Sequence, residues 1–281
     1  MKRGEPNPLK SPHLEGQDLP EMSPQSLQML MYARDLRHLQ EREAAKALQL
    51  EAANRQLERY AEDLKRSWDD ERSRREEVDQ AYYDTLLRLS RAAEYRDGET
   101  GFHMHRLSSY SRLIGAYLGL DEAALDDLAA AAPLHDVGKI GIPDRVLLDP
   151  GPLRPKDREV MERHTIIGAA LLEGSSSSLM ELARKIALTH HERWDGSGYP
   201  QGLCGEEIPL AGRIVMLCDQ YDALRSHRPY KPPFDHETVC RILLVGDQRT
   251  RREHFDPALL AAFEEVQEEL ALIFAGAEDP V

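Results

Sequence analysis

Residues 131–144 read AAPLHDVGKIGIPD, and the rest of the chain is best read outward from this stretch. A helical pattern rich in Ala and Leu, AALDDLAAAAPL at 123–134, runs into it, and Gly138 stops the helix. His135 and Asp136 therefore stand side by side at a helix end. Adjacent His and Asp can hand one imidazole nitrogen and one carboxylate to metal ions in the same pocket. Taken alone, such a pair reads better as a hydrogen-bonded core dyad. Lys139 follows three residues after Asp136, where its ammonium could face a phosphate or a developing oxyanion.

The company of the pair reverses the plain reading. His164 lies in VMERHTIIGAALL, with Met161, Ile167 and Leu171 at helical spacing. His190 and His191 close LMELARKIALTHH. Neighbours on a helix point about 100° apart, so that doublet could address two ions, or one ion and a substrate. Asp219 sits in AGRIVMLCDQYDALRS among the core-like Ile214, Val215 and Leu217. A carboxylate there needs a partner to offset its desolvation, and a metal would supply one. Asp222, one turn further, shares that face and reads as a supporting hydrogen-bonder. Upstream, GETGFHMHRL places Glu99 and His103 at i,i+4, on one face if the segment is helical. His105 falls on nearly the opposite face and reads as solvated, whereas Arg106 returns to the His103 side. Nitrogen and oxygen ligands of these kinds suit iron, manganese or zinc at a hydrolytic centre. Arg228 and Lys231, beside Tyr230 in SHRPYKPPF, read as a clamp for a phosphate or a guanine edge.

Beyond Ala81 the apolar spacing is helical nearly throughout, over 102–118, 122–135, 156–173, 179–191, 209–225, 235–245 and 257–274, and no alternating strand pattern is seen. Asp256-Pro257 is a sound helix start. The fold class is all-α. Gly and Pro gather between helices at 138–144, 148–155 and, above all, in WDGSGYPQGLCGEEIP at 194–209, as in shaped loops beside a site. Residues 1–24 are rich in Pro, Gly and charge and read as a disordered leader. Residues 25–84 read as one long helix, with neither Gly nor Pro from Gln25 to Gln80. Its imperfect heptad seam runs through Met29, Tyr32, Leu36, Leu39, Leu50, Ala53, Leu57, Tyr60 and Leu64, which favours a coiled-coil homodimer over a single charged helix folded back on the globular part. Residues 85–281 form the globular part.

The chain has 281 residues and a formal net charge of −14. That balance argues against broad nucleic-acid or anionic-membrane binding, which needs a basic face. It leaves room for a small anionic ligand held by a local cluster. The three cysteines, Cys204, Cys218 and Cys240, have the spacing of neither a CxxC motif nor a disulfide framework, so a reducing cytoplasm is the simple expectation. No run approaches the roughly 20 apolar residues needed to cross a bilayer, and no targeting sequence is evident.

HDVGKIGIPD, HHERWDGSGYPQGL and CDQYDAL followed by RPYK resemble the HD-GYP domain, a bacterial branch of the HD phosphohydrolase superfamily. The resemblance covers roughly residues 85–275, and long loops match as well as single ligands. It implies an all-α HD-domain bundle. It also implies hydrolysis of the second messenger cyclic di-GMP to pGpG, GMP or both, at a centre of two or three divalent metals, usually iron or manganese. It makes His135, Asp136, His164, His190, His191 and Asp219 the core metal ligands, with Glu99 and His103 completing a third site in some members. Lys139 matches a contact to the scissile phosphate, and Arg228 and Lys231 match substrate contacts. Gly196, Gly198, Tyr199 and Pro200 belong to the GYP loop, which the family also uses to bind partners such as GGDEF domains. Asp222 is included with the substrate-binding group. One departure is DQRTRRE at 247–253, where many relatives have a Gly-containing turn. Another is that no receiver or PAS-like sensor domain is seen upstream. The alternatives are an HD-type phosphohydrolase of another cyclic or linear nucleotide, a non-catalytic cyclic di-GMP receptor, and a coiled-coil interaction protein whose enzymatic domain is secondary.

Overall fold

The structure, a computed structural model, describes residues 23–97, 102–227 and 233–276. Glu99, Arg228, Tyr230 and Lys231 lie outside the described residues, as do positions 1–22 of the expected leader. The described residues form helices and no strands, as an all-α chain should. Contacts divide the chain into two compact units, one ending at Arg72 and the other running from Ser73.

Helix α1, Pro24–Asp97, contributes to both units. Within the first, the seam residues Met29, Tyr32, Leu36, Leu39, Leu50, Leu57, Tyr60 and Leu64 are all more than half exposed. In the second, the end of α1 packs into the domain. Leu86 and Ala93 are buried, and Ser90 Oγ donates to the Pro133 carbonyl at 3.0 Å.

Helices α2 (Phe102–Tyr117), α3 (Glu122–Ala131), α7 (Ser178–Thr189), α8 (Leu210–Arg225), α9 (His236–Leu244) and α10 (Pro257–Gly276) build the main core. α2 is central and touches α3, α8 and α10. Its Leu107, Tyr110 and Ile114, spaced as one helical face, are fully buried. Asp121 caps α3 through the amide of Ala124, and Asp235 caps α9 through that of Thr238. Asp256 Oδ1 accepts from the Ala258 amide at the start of α10. The short α4 (Asp144–Leu147) joins α5 (Pro155–Glu162) and α6 (His164–Leu171) around a satellite core of Ile142, Val146 and Leu147.

Two expected helices are interrupted, and both breaks fall at the site. The helix expected over 122–135 is α-helical only to Ala131 and continues as a 3-10 turn, Ala132–Leu134. Pro133 has no N–H for the Ala129 carbonyl; Ser108 Oγ bonds that oxygen instead at 2.7 Å. The helix expected over 156–173 is two helices that meet at Arg163. At the break the Met161 carbonyl accepts from His164 Nδ1 at 2.7 Å.

Candidate metal centre

The two breaks and two helix ends bring the histidines together. His135 follows the 3-10 turn after α3, His164 opens α6, His190 caps α7 and His191 lies just beyond it. Three of these rings are anchored alike. Nδ1 of His135 donates to Ala132 O at 3.0 Å, and that of His164 to Met161 O. Nδ1 of His190 lies 3.1 Å from both Ile186 O and Ala187 O. A carbonyl only accepts, so in each ring Nδ1 carries a proton, and Nε2 is the nitrogen turned toward the other donors.

The three Nε2 atoms converge on Asp136. His164 Nε2 is 3.2 Å and His190 Nε2 is 3.6 Å from Asp136 Oδ1, while His135 Nε2 is 3.2 Å from Oδ2. Two clusters result, each with its donor atoms within 4.8 Å of one another: Asp136, His164, His190 and His191; and His103, His135 and Asp219. The sequence allowed the His190–His191 doublet to serve two ions, or one ion and a substrate; the fold puts both rings in one cluster at the C-terminal end of α7.

His103, from α2, donates from Nδ1 to Asp222 Oδ2 at 2.7 Å, and its Nε2 is 3.6 Å from Asp219 Oδ1. Asp222 is fully buried and is also gripped by Arg106, Nε to Oδ1 at 2.7 Å and Nη2 to Oδ2 at 2.8 Å. That is the placement of a carboxylate that orients a histidine. His105 is exposed on the far side of α2.

Electrostatics fit cation binding. Burial pushes His164 down to about 4 and His191 well below its ordinary value, which keeps both rings neutral. Burial works to raise Asp136, but Lys139 and His135 outweigh it and hold the carboxylate well below its usual range. Burial likewise works to lower His135, and the adjacent Asp136 turns the net shift upward. Lys139 Nζ is 2.9 Å from Asp136 Oδ2. Two atoms at the heart of the arrangement, His135 Nε2 and Asp136 Oδ1, are buried with no hydrogen-bond partner. Buried polar atoms left this way are costly unless something binds them, and a divalent cation fits both donors.

The GYP loop closes one side. Tyr199 stacks on His191 with ring centroids 4.7 Å apart and planes at 26°. Gly198 lies against the backbone of Glu192 and Arg193, where an added Cβ would come within 2.3 Å of Arg193 N. Two residues that sequence reasoning did not single out as functional are Arg106 and the buried Glu192. Only the helical phase of Arg106, shared with His103, hinted at its place. Nothing in the sequence marked Glu192 apart from the loop that contains it.

A family model described as an HD domain matches residues 82–259. The chain belongs to the HD domain family, as an HD-GYP member. This HD domain is 41% identical over 203 residues to a cyclic di-GMP phosphodiesterase of Thermotoga maritima, covering 72% of the chain and 54% of the relative. It is 48% identical over 186 residues to the cyclic di-GMP phosphodiesterase response regulator RpfG of Xanthomonas campestris, covering 66% and 48%. It is 40% identical over 194 residues to 3'3'-cGAMP-specific phosphodiesterase 2 of Vibrio cholerae, covering 69% and 36%. The chain spans about half or less of the length of these curated relatives. Among the described residues, no helix of the HD domain or of α1 is long and apolar enough to cross a membrane.

Proposed function

We propose that this chain is a metal-dependent phosphodiesterase that hydrolyses cyclic di-GMP to pGpG, GMP or both. The observation that carries the reading is the pair of donor clusters joined at the His135-Asp136 step, with Nδ1 tied to carbonyls and Nε2 turned inward. His164, His190 and His191 would hold one ion and His103, His135 and Asp219 another, with an Asp136 oxygen directed to each side. The all-nitrogen-and-oxygen donor set suits iron or manganese. Such ions supply Lewis acidity to the phosphodiester and activate water. Backbone carbonyls hold three of the rings in register, and Asp222 with Arg106 holds His103. Lys139 sets a fixed positive charge beside Asp136 for a phosphate oxygen. Arg228 and Lys231 are assigned to the substrate and Glu99 to a third ion; these residues lie outside the described part.

The names of the similar proteins support cyclic di-GMP as substrate. A second reading, hydrolysis of 3'3'-cGAMP, is favoured by the 40% identity to a cGAMP-specific relative. The unpaired state of all three cysteines agrees with work in the cytoplasm. In this reading residues 25–84 are a dimerising and signalling helix, 85–281 the catalytic part, and residues 196–200 of the GYP loop a docking edge for a GGDEF or other signalling protein.

The test is turnover of cyclic di-GMP and 3'3'-cGAMP side by side, with anaerobically purified protein loaded with Fe(II) or Mn(II). D136A should lose at least about 100-fold in rate, since it removes the group that faces both clusters. No turnover by metal-loaded protein, or an unimpaired D136A, overturns the proposal. A preference for 3'3'-cGAMP transfers it to the second substrate.

A further inference from the structure

Four of the five candidate histidine ligands have a ring nitrogen fixed by hydrogen bonding: His135, His164 and His190 on backbone carbonyls and His103 on Asp222. His191 is different. Among the described residues its ring has ring–ring contacts and no hydrogen bond, with His190 at 4.1 Å, His164 at 5.0 Å and Tyr199 stacked at 4.7 Å. A ring held only by stacking is oriented by whatever holds its neighbour.

Tyr199 is held by its loop. Its amide donates to His191 O at 3.2 Å, just ahead of Pro200. Beyond Pro200 the chain is tied to one side chain. The Gln201 amide donates to Glu192 Oε1 at 2.7 Å and the Leu203 amide to Glu192 Oε2 at 3.0 Å. Glu192 is 1% exposed, although it directly follows His191 on the way into a surface loop. Burying a carboxylate is costly unless its oxygens are used, and here each takes one backbone N–H.

We propose that Glu192 is a positioning residue for the metal centre. By holding the amides of Gln201 and Leu203, it fixes the loop that lays Tyr199 on His191. This rests on reading His191 as a metal ligand. The chemistry does not tolerate an isostere. A glutamine in its place offers one acceptor oxygen and turns an NH2 donor toward the second N–H.

The experiment uses the full chain, with E192Q, Y199A, Y199F and the E192Q/Y199A double variant. Amide hydrogen exchange of the segment 199–204 is followed beside that of α2 and α8, and Mn2+ affinity is measured by calorimetry. E192Q should speed exchange at Gln201 and Leu203 at least about tenfold with α2 and α8 unchanged. It should weaken Mn2+ binding about tenfold, the scale found for groups that orient ligands. Y199A should weaken it similarly, Y199F should bind as wild type, and the double variant should be no worse than either single change. Additive losses, or Mn2+ binding by E192Q equal to that of wild type, overturn the proposal. Should E192Q fail to fold, the Tyr199 pair decides alone: equal binding by Y199A and Y199F overturns it. Wild type that takes up no Mn2+ overturns the metal-centre reading as well, so the two failures are distinct.

Discussion

Asp222 shows how much one carboxylate does when it is fully buried. It receives the Arg106 fork on both oxygens and meets His103 on one of them. Burial works to raise its pKa, but Arg106 and His103 outweigh this and hold it far below the usual carboxylate range. Removing Arg106 would take away the charged partner and both fork hydrogen bonds of the buried carboxylate, a change that typically costs about 3–5 kcal/mol. R106A is therefore expected to lose stability on that scale in urea unfolding of the metal-free protein. Its Mn2+ affinity should fall about tenfold, because Asp222, and with it His103, is held less firmly. R106A with D222N should recover part of the stability without recovering the metal affinity.

Helix packing depends on a close approach of backbones beside the histidines. The 3-10 turn Val137–Gly141 lies directly on α6, and a Cβ on Gly138 would meet His164 O at 1.9 Å and Gly168 N at 2.4 Å. Backbone atoms cannot swing aside, so G138A must push the Lys139 turn away from α6. A loss of about 3 kcal/mol or more is expected in denaturant unfolding, at the upper end for overpacking. The first unit of α1 presents the opposite situation, with a row of apolar side chains exposed along one helix. If a second copy covers them, L50E with L57E should convert a dimer to a monomer of about half the mass in light scattering. A mass unchanged by the substitutions would defeat the coiled-coil dimer.

At the scale of the molecule, cations bound in the two clusters should stabilise the second unit, because the donors come together from α2, α6, α8, the end of α7 and the turn after α3. Saturation at 100 times Kd adds about 2.7 kcal/mol. For a domain of this size, that raises the melting temperature by roughly 5–10 °C. Calorimetry with Mn2+ and then EDTA should show the rise and its reversal. The thiols report on the same fold: Cys204 is exposed, Cys218 and Cys240 are buried, and burial pushes Cys240 up to about 11. Iodoacetamide at mild pH should label Cys204 alone until the chain unfolds.

Much of this was legible in the residues. Helical periodicity over 102–118 and 257–274 became α2 and α10, since an apolar stripe on a helix has to be buried somewhere. The HD, HH and GYP segments stood out because several chemically special residues recur in loops that packing alone does not explain. The breaks at Pro133 and Arg163 were harder to see. Local pattern favours a continuous helix, and the bonds that His135 and His164 make to the Ala132 and Met161 carbonyls beside those breaks matter only once the rings are in place. By itself, then, the sequence determined the helical class, the family and the inventory of donor groups, all properties of spacing and residue type. Only the tertiary structure decided that His190 and His191 join one cluster, that Asp222 serves His103, and that Glu192 ties down the loop over His191. Those are distances between side chains and backbone brought together from separate elements, and no local pattern encodes them.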